Sequence, residues 1–254
     1  MAEMVYLIGL PKSGQSPIDI EDKAVRPHRF PSLNLSGHWL RDGDATLINT
    51  GKTAKICLSG DRIPSSIKGG PLFTDEYEFQ EVHFHWGKEN CCGSEHTINS
   101  TWFSMEAHAV HWNRRYGTIE ESKKHKDGLC VLAFLFLATD TNSSWSNPQL
   151  EILTDNLRYI IEAGSEKKVP ANCLKWMQHC LKVPSYYTYS GSLTTPPYTE
   201  CVVWIVIPQP IRISPNQIDD FRKLRNGEDQ QILANARKVQ TLRGRRIFLA
   251  VNTI

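Results

Sequence analysis

The stretch EVHFHW, residues 81–86, is the part of the sequence on which both the fold and the candidate site depend. Its aromatic and β-branched residues are typical of a β-strand. Successive side chains of a strand point to opposite faces, so His83 and His85 share one face while Phe84 points to the other. The stretch therefore predicts a strand that presents two imidazoles side by side.

A third histidine lies in a second strand-like stretch, EAHAV at residues 106–110, where Glu106, His108 and Val110 share a face. Two neighbouring strands of this kind bring three neutral imidazoles to one point. Three histidines with one open position form the catalytic type of tetrahedral zinc site, whereas a structural site is closed by a fourth protein ligand. The spacing alone leaves open the alternative that these histidines are incidental residues of buried strands.

The composition of the 254-residue chain excludes several other classes of protein. Hydrophobic residues make up 40%, charged residues 22%, and the net charge is +2, which gives no electrostatic reason to expect nucleic acid or an anionic membrane as a partner. The longest apolar run, residues 129–138, is about half of what a membrane-spanning helix needs, so it predicts a buried strand. Residues 4–10 make a poor signal peptide. Seven scattered cysteines without a CxxC pair favour a reducing compartment, so we expect a cytoplasmic protein.

Strand signals outnumber helix signals along the chain. Two helices are predicted, one beginning at Asn147-Pro148 and one at the capping box SPNQ, residues 214–217. No repeat or linker divides the sequence. The fold class is therefore mainly β (α+β) with peripheral helices. The predicted strands cover residues 54–58, 81–86, 102–111, 129–137, 200–207 and 246–251.

Around the histidines, and over nearly its whole length, the sequence resembles the α-class carbonic anhydrases. The matching pieces occur in the order and at the spacing of that family. They are QSPIDI at 15–20, KGGPL at 68–72, HFHWG at 83–87, GSEH at 93–96, EAHAVHWN at 106–113 and GSLTTPP at 191–197.

The resemblance implies one domain over residues 1–254, built on a large twisted, mostly antiparallel central sheet of about ten strands, with zinc at the base of a conical cleft. It also implies reversible hydration of carbon dioxide to bicarbonate and a proton by zinc-bound hydroxide. Sulfonamides and other anions are the expected inhibitors, and the protein is expected to be a monomer that binds neither nucleic acid nor membrane. Residues 1–14 form a short, atypical N-terminal lead that lacks the family's aromatic residues.

The resemblance also assigns roles to individual residues. His83, His85 and His108 correspond to the zinc ligands, Thr194 to the residue that orients the hydroxide, and Glu95 to the buried carboxylate that accepts its hydrogen bond. His96 and His111 match structural histidines. The residues expected behind the ligands are Glu81, Glu106 and Asn235. The expected carbon dioxide pocket consists of Val110, Leu129, Val131, Leu193, Thr195, Val202 and Trp204.

Two positions depart from the family pattern. Glu81 stands where the family usually has an amide, and a carboxylate partner makes His83 a more basic ligand. Lys52 stands where the fastest members have a histidine that carries the proton away. Histidine suits that task because its pKa lies near neutrality, whereas a lysine side chain is almost always already protonated there. We therefore expect slow proton transfer that imidazole buffer or a Lys52→His variant relieves.

Two alternatives to a carbon dioxide hydratase remain open at this point. The first is an inactive relative that uses the same fold as a binding module, but such relatives typically lack one or more zinc histidines, and all three are present here. The second is a zinc hydrolase that acts on esters, for which the sequence contains no substrate-binding motif. Zinc content separates the hydratase from the binding module, and the ratio of hydration to ester cleavage separates it from the hydrolase.

Overall fold

A computed structural model of the protein describes residues 14–139, 145–181 and 185–251, so the expected N-terminal lead lies outside the described residues except for Gly14. Strands dominate these ranges, as the sequence predicts. They are β1 Asp19–Ile20, β2 Val25–His28, β3 Asn34–Ser36, β4 Asp44–Asn49, β5 Ala54–Ser59, β6 Ser66–Lys68, β7 Tyr77–Trp86, β8 Thr97–Ile98, β9 Met105–Asn113, β10 Leu129–Ala138, β11 Glu166–Val169, β12 Tyr187–Gly191, β13 Val202–Ile213 and β14 Ile247–Ala250.

The main sheet contains twelve of these strands, against about ten expected. Ten of them follow one another in the order β11-β4-β5-β7-β9-β10-β13-β12-β14-β2, and β6 joins β3 to β7 beside this path. All neighbouring pairs are antiparallel except β10 with β13 and β14 with β2. The prediction of a large, mostly antiparallel sheet is confirmed. β1 and β8 form a separate parallel pair.

The α-helices of the described residues are short, between four and eight residues long. Ser214 and Gln217 form the predicted capping box at the start of the last helix, with both reciprocal hydrogen bonds present. The helix expected to begin at Asn147 begins later, because the Asn147 side chain accepts a hydrogen bond from the Gln149 N–H (3.0 Å) and so caps a preceding turn. The α-helices are α1 Ile119–Ser122, α2 Glu151–Leu157, α3 Lys175–Cys180 and α4 Pro215–Arg222, and 3₁₀ turns lie at Asp22–Ala24, Gly70–Leu72 and Arg114–Tyr116.

The central strands β9 and β10 are buried on both faces and separate two hydrophobic clusters. Ala107 and Ala109 of β9 belong to the larger cluster, which also contains buried residues of α2, α3 and α4. Val110, one residue further along, belongs to the smaller cluster, which lies on the face that carries His108. The candidate site is therefore set into the sheet beside an apolar wall. None of the helices in the described ranges is long and apolar enough to cross a membrane.

Candidate metal centre

Three histidines converge on one point at the centre of the sheet. His83 and His85 lie on the same face of β7, and His108 of the antiparallel neighbour β9 is paired directly with His83. The ring centroids lie 5.1 Å (His83 to His85), 5.3 Å (His83 to His108) and 4.6 Å (His85 to His108) apart. One nitrogen of each ring lies within 4.8 Å of the others, so one ion can reach all three.

The outer nitrogen of each ring is held by an oxygen that can only accept a hydrogen bond. That nitrogen must therefore carry the proton, and the inner nitrogen keeps its lone pair. The inner nitrogens are Nε2 of His83, Nε2 of His85 and Nδ1 of His108. The outer hydrogen bonds run from His83 Nδ1 to Glu81 Oε1 (3.0 Å), from His85 Nδ1 to the Asn235 carbonyl (3.3 Å) and from His108 Nε2 to Glu106 Oε1 (2.7 Å).

This donor set fits zinc. His85 Nε2 is buried and has no hydrogen-bond partner among the described residues, and an unpaired buried acceptor is unfavourable unless something binds it. Burial lowers the pKa of His108 to about 4, and it lowers the pKa of His85 well below the usual value, so both rings are neutral and able to coordinate. Three neutral imidazoles without a fourth protein ligand are the catalytic type of zinc site.

Glu106 fixes the interior side of the site with four hydrogen bonds. Its Oε1 accepts from His108 (2.7 Å) and from His96 Nδ1 (2.6 Å), and its Oε2 accepts the backbone N–H groups of Glu95 (2.8 Å) and His96 (2.7 Å). Burial alone raises the pKa of Glu106, but its contacts with His96 and His108 outweigh it and hold the pKa well below the usual range. His96, Glu106 and His108 also lie close enough together to hold a metal ion. However, Glu106 Oε1 already accepts hydrogen bonds from both rings.

Glu81 occupies the corresponding position on the open side of the site. Its side chain is 22% exposed, and Lys55, which is paired with His83 across β5 and β7, forms an ion pair with it (3.3 Å). Burial raises the pKa of Glu81, but the hydrogen bond with His83 and the charge of Lys55 lower it overall. Glu81, which stands where the resemblance predicts an amide, therefore has Lys55 as a cationic partner.

Asn235 ties a distant segment to the end of β7. Its side-chain oxygen accepts the Trp86 N–H (2.8 Å), and its amide group donates to the carbonyls of Phe84 (3.0 Å) and Lys52 (3.0 Å). Its own carbonyl faces His85. These contacts hold the Asn235 carbonyl in place behind the His85 ring. Lys52 itself is exposed in the turn between β4 and β5, and its backbone is joined to the site through Asn235.

Glu95 and Thr194 lie together beside the histidines. Glu95 is fully buried, its Oε1 accepts the Arg237 N–H (2.8 Å), and the same oxygen lies 3.3 Å from His85 Nδ1. Burial and the charge of Glu106 raise the pKa of Glu95 well above the usual value, while the Thr194 side chain and Arg237 act in the opposite direction. A divalent cation between the histidines opposes the rise, because an opposite charge nearby favours the ionised carboxylate.

The structure brings most of the expected pocket residues together on the face of His108. Val131 is paired with Val110 on one side and with Trp204 on the other, and the Trp204 ring lies 4.8 Å from the His108 ring. Leu129 and Val202 form the next pair of the same face, and Leu193 packs against this cluster. Thr195 is exposed next to buried Thr194.

Three features of the site were not found from the sequence. The resemblance assigned His96 only a structural role, whereas its ring donates to the same Glu106 oxygen as the His108 ring does. Nothing in the sequence around His96 indicated this contact. The N–H of Arg237 reaches Glu95, and Lys55 reaches Glu81. The second contact had one signal, because Lys55 stands three residues after Lys52 as a second cation expected at the mouth of the cleft.

Comparisons with known proteins point to one family. Residues 10–251 match the family model of the eukaryotic-type carbonic anhydrases. Carbonic anhydrase 3 of Homo sapiens is 33% identical over 238 residues, which cover 91% of this chain and 87% of that protein. Carbonic anhydrase 1 of Oryctolagus cuniculus is 36% identical over 240 residues, which cover 92% of this chain and 97% of that protein.

Proposed function

The chain belongs to the eukaryotic-type carbonic anhydrase family and is a carbonic anhydrase enzyme, and from this premise we propose that it hydrates carbon dioxide with zinc held by His83, His85 and His108. Reversible carbon dioxide hydration is the general activity of the family. The observation that carries the zinc proposal is the convergence of three inner ring nitrogens, one of them buried without a partner. When bound, zinc supplies the Lewis acidity that makes a hydroxide nucleophile available near neutral pH, the established chemistry of this enzyme class.

Thr194 is the residue that we assign to orienting the nucleophile. Its hydroxyl lies beside the buried carboxylate of Glu95, and donating its proton there leaves the oxygen free to accept only. A hydroxyl fixed in this way accepts a hydrogen bond from the O–H of a neighbouring nucleophile, which turns a lone pair of the nucleophile toward carbon. Glu95 is held in turn by the Arg237 N–H, so the acceptor is fixed before substrate enters.

The apolar face beside His108 is the proposed place for carbon dioxide. Carbon dioxide is apolar and is better accommodated by Val110, Val131 and Trp204 than by polar groups, which bind water instead. Trp204 donates its indole N–H to the Ser192 carbonyl (3.1 Å), so it leaves no free donor toward the pocket. We include Leu129, Val202, Leu193 and Thr195 in the same pocket.

Proton release is the step that we propose to be slow. Lys52 stands at the turn where faster relatives have a histidine, and Lys55 is already engaged with Glu81. A lysine that is protonated at neutral pH has no site for the proton that must leave. General acid–base groups contribute most when their pKa lies near the working pH, which is the case for histidine and for imidazole buffer.

Stopped-flow hydration on zinc-loaded protein tests both parts of the proposal. We expect measurable hydration that increases with added imidazole, and a Lys52→His variant that turns over roughly tenfold faster in low buffer. Lys68→His is the matched control, because Lys68 is exposed in β6 beside the far end of β7 and should leave the rate unchanged. Hydration that ignores both imidazole and the Lys52 substitution contradicts the slow step. Absence of hydration contradicts the function and favours the binding-module alternative.

The remaining parts of the proposal follow from the family and the chain. We propose that residues 1–254 act as one monomeric domain, that sulfonamides and small anions inhibit it at the metal, and that it has no nucleic-acid or membrane partner. All seven cysteines are free in the structure, which supports a reducing, cytoplasmic location. Thermal-shift titration with a sulfonamide, compared between zinc-loaded and metal-free protein, tests the inhibitor assignment, because stabilisation is expected only with zinc.

A further inference from the structure

Two adjacent cysteines lie on the surface in the loop that follows β7. Cys91 and Cys92 are both exposed, their sulfurs are 3.7 Å apart, and the Cys91 thiol donates a weak hydrogen bond to the Cys92 sulfur. The five other cysteines of the chain, all within the described ranges, are buried or half-buried. The two thiols therefore form a pair that is accessible to reagents while the rest are shielded.

The loop that carries the pair is anchored on both sides. Arg222 of α4 donates to the Gly87 carbonyl (2.9 Å) and to the Asn90 side chain (2.8 Å) before the pair. After it, the N–H groups of Gly93 and Ser94 both donate to the Phe103 carbonyl (2.8 and 2.9 Å). Because the backbone is already fixed, a ligand that needs both sulfurs does not have to order the loop first.

The sulfur separation distinguishes a disulfide from a chelate. A disulfide needs sulfurs about 2.05 Å apart and usually Cα atoms about 4.4–6.8 Å apart, whereas adjacent residues have Cα atoms about 3.8 Å apart, so a Cys91–Cys92 bridge is strained. Two thiolates at about 2.3 Å from a tetrahedral centre lie about 3.8 Å from each other. The observed 3.7 Å matches the chelate without movement of the peptide.

We propose that Cys91 and Cys92 form a bidentate dithiol site for one soft, thiophilic metal or metalloid centre, separate from the histidine site. With a trivalent arsenical of the type R–As=O, the As=O bond and two S–H bonds break, two As–S bonds form, and the oxygen leaves with both protons as water. Arsenic stays trivalent, so no oxidant is required. A d¹⁰ metal ion binds the same two sulfurs with release of their two protons.

Phenylarsine oxide is the probe that separates this site from the zinc site, because it requires paired thiols. Intact-mass analysis of the zinc-loaded enzyme should show one adduct, heavier than the protein by the arsenical less one water. A dithiol should remove it, and an excess of glutathione should not. Cys91→Ser and Cys92→Ser should each weaken binding on the order of 100-fold, because the second contact is lost.

Cys57→Ser is the matched control, since Cys57 is half-buried in β5 and should leave the adduct unchanged. Cadmium in place of the arsenical should give thiolate absorption that both single serine variants lose while the zinc content stays the same. The proposal is wrong if the wild type takes up no arsenical, if either serine variant binds it as tightly, or if the pair is recovered as a disulfide. None of these results depends on hydration activity.

Discussion

Strand β9 carries buried histidines on both of its faces, and the two clusters differ in what holds the rings. His108 points to the cleft and joins His83 and His85. His111, three residues later, points to the other face and pairs with His38, with the two Nε2 atoms 2.9 Å apart. Both clusters are buried, and burial lowers the pKa of His38 to about 4 and lowers the pKa of His111 well below the usual value.

The difference lies in the acceptors. In the cleft, carboxylates and a carbonyl take the outer N–H groups, so the inner nitrogens are left free and converge. In the back pair, His111 Nδ1 donates to the Ala109 carbonyl (3.1 Å), so His38 Nε2 donates to His111 Nε2, and His38 Nδ1 has no partner among the described residues. The charged group that acts on His38 is Arg62, a cation. The proposed metal site therefore differs from the buried back pair in having an oriented acceptor behind every ring, which His38 lacks.

Of the changes considered, removing a carboxylate oxygen of Glu106 should have the largest effect on the cleft cluster. Glu106→Gln replaces one carboxylate oxygen by an amide NH2 group, so the carboxyl end can no longer accept all four of its buried hydrogen bonds. We therefore expect the free energy of unfolding to fall by about 3–5 kcal/mol. Urea denaturation of the metal-free protein measures this. Glu81→Gln is the matched control on the exposed side and should change stability by about 1 kcal/mol or less. Equal losses of stability in the two variants would contradict the larger structural role that we assign to Glu106.

The back pair should be visible as acid sensitivity. The folded pKa of His38, about 4, lies below the unfolded value near 6.5, so the unfolded chain binds the proton first as the pH falls. The stability that neutral His38 contributes is fully present above about pH 6.5 and is lost progressively toward pH 4, at about 1.4 kcal/mol per pH unit for one proton. His38→Gln keeps a polar partner for His111 without titrating, so its urea stability should fall less steeply in that window. An unchanged slope contradicts the neutral back pair.

Thr194→Ala tests the cleft cluster without touching a ligand. Hydration should drop roughly 100-fold, as for loss of one preorganised hydrogen-bonding group, while zinc content is unchanged. Thr74→Ala is the matched control, because Thr74 is exposed in the turn before β7 and lies outside the proposed pocket. A loss of zinc together with activity, or equal effects of the two substitutions, would remove the orienting role that we assign to Thr194.

Periodicity was sufficient to predict the strands that carry the ligands, because the two-residue repeat is local. The end of β13 was not predictable in the same way. The sequence predicts a strand that stops at residue 207, before Pro208 and Pro210, but β13 continues to Ile213. A register shift opposite Phe134–Phe136 of β10 accommodates the prolines, and that irregularity depends on a partner strand far away in sequence.

The site shows the same limit. The three histidines were singled out by their spacing together with the resemblance, but the pairing of Lys55 with Glu81 depends on the register of β5 against β7. The segment 102–104 was predicted as part of β9, but the strand begins at Met105. The Phe103 carbonyl instead accepts hydrogen bonds from the N–H groups of Gly93 and Ser94. Contacts between segments distant in sequence decided each of these points.

The most direct test of the account is the zinc content of the chain, measured by elemental analysis of natively purified protein in a Cys91→Ser/Cys92→Ser background that excludes the surface thiols. We predict one zinc per chain, retained in His38→Gln and lost in His83→Ala, whose ring is partly exposed and can be removed with little effect on folding. A wild-type cleft without zinc, or zinc retained by His83→Ala, would contradict the account.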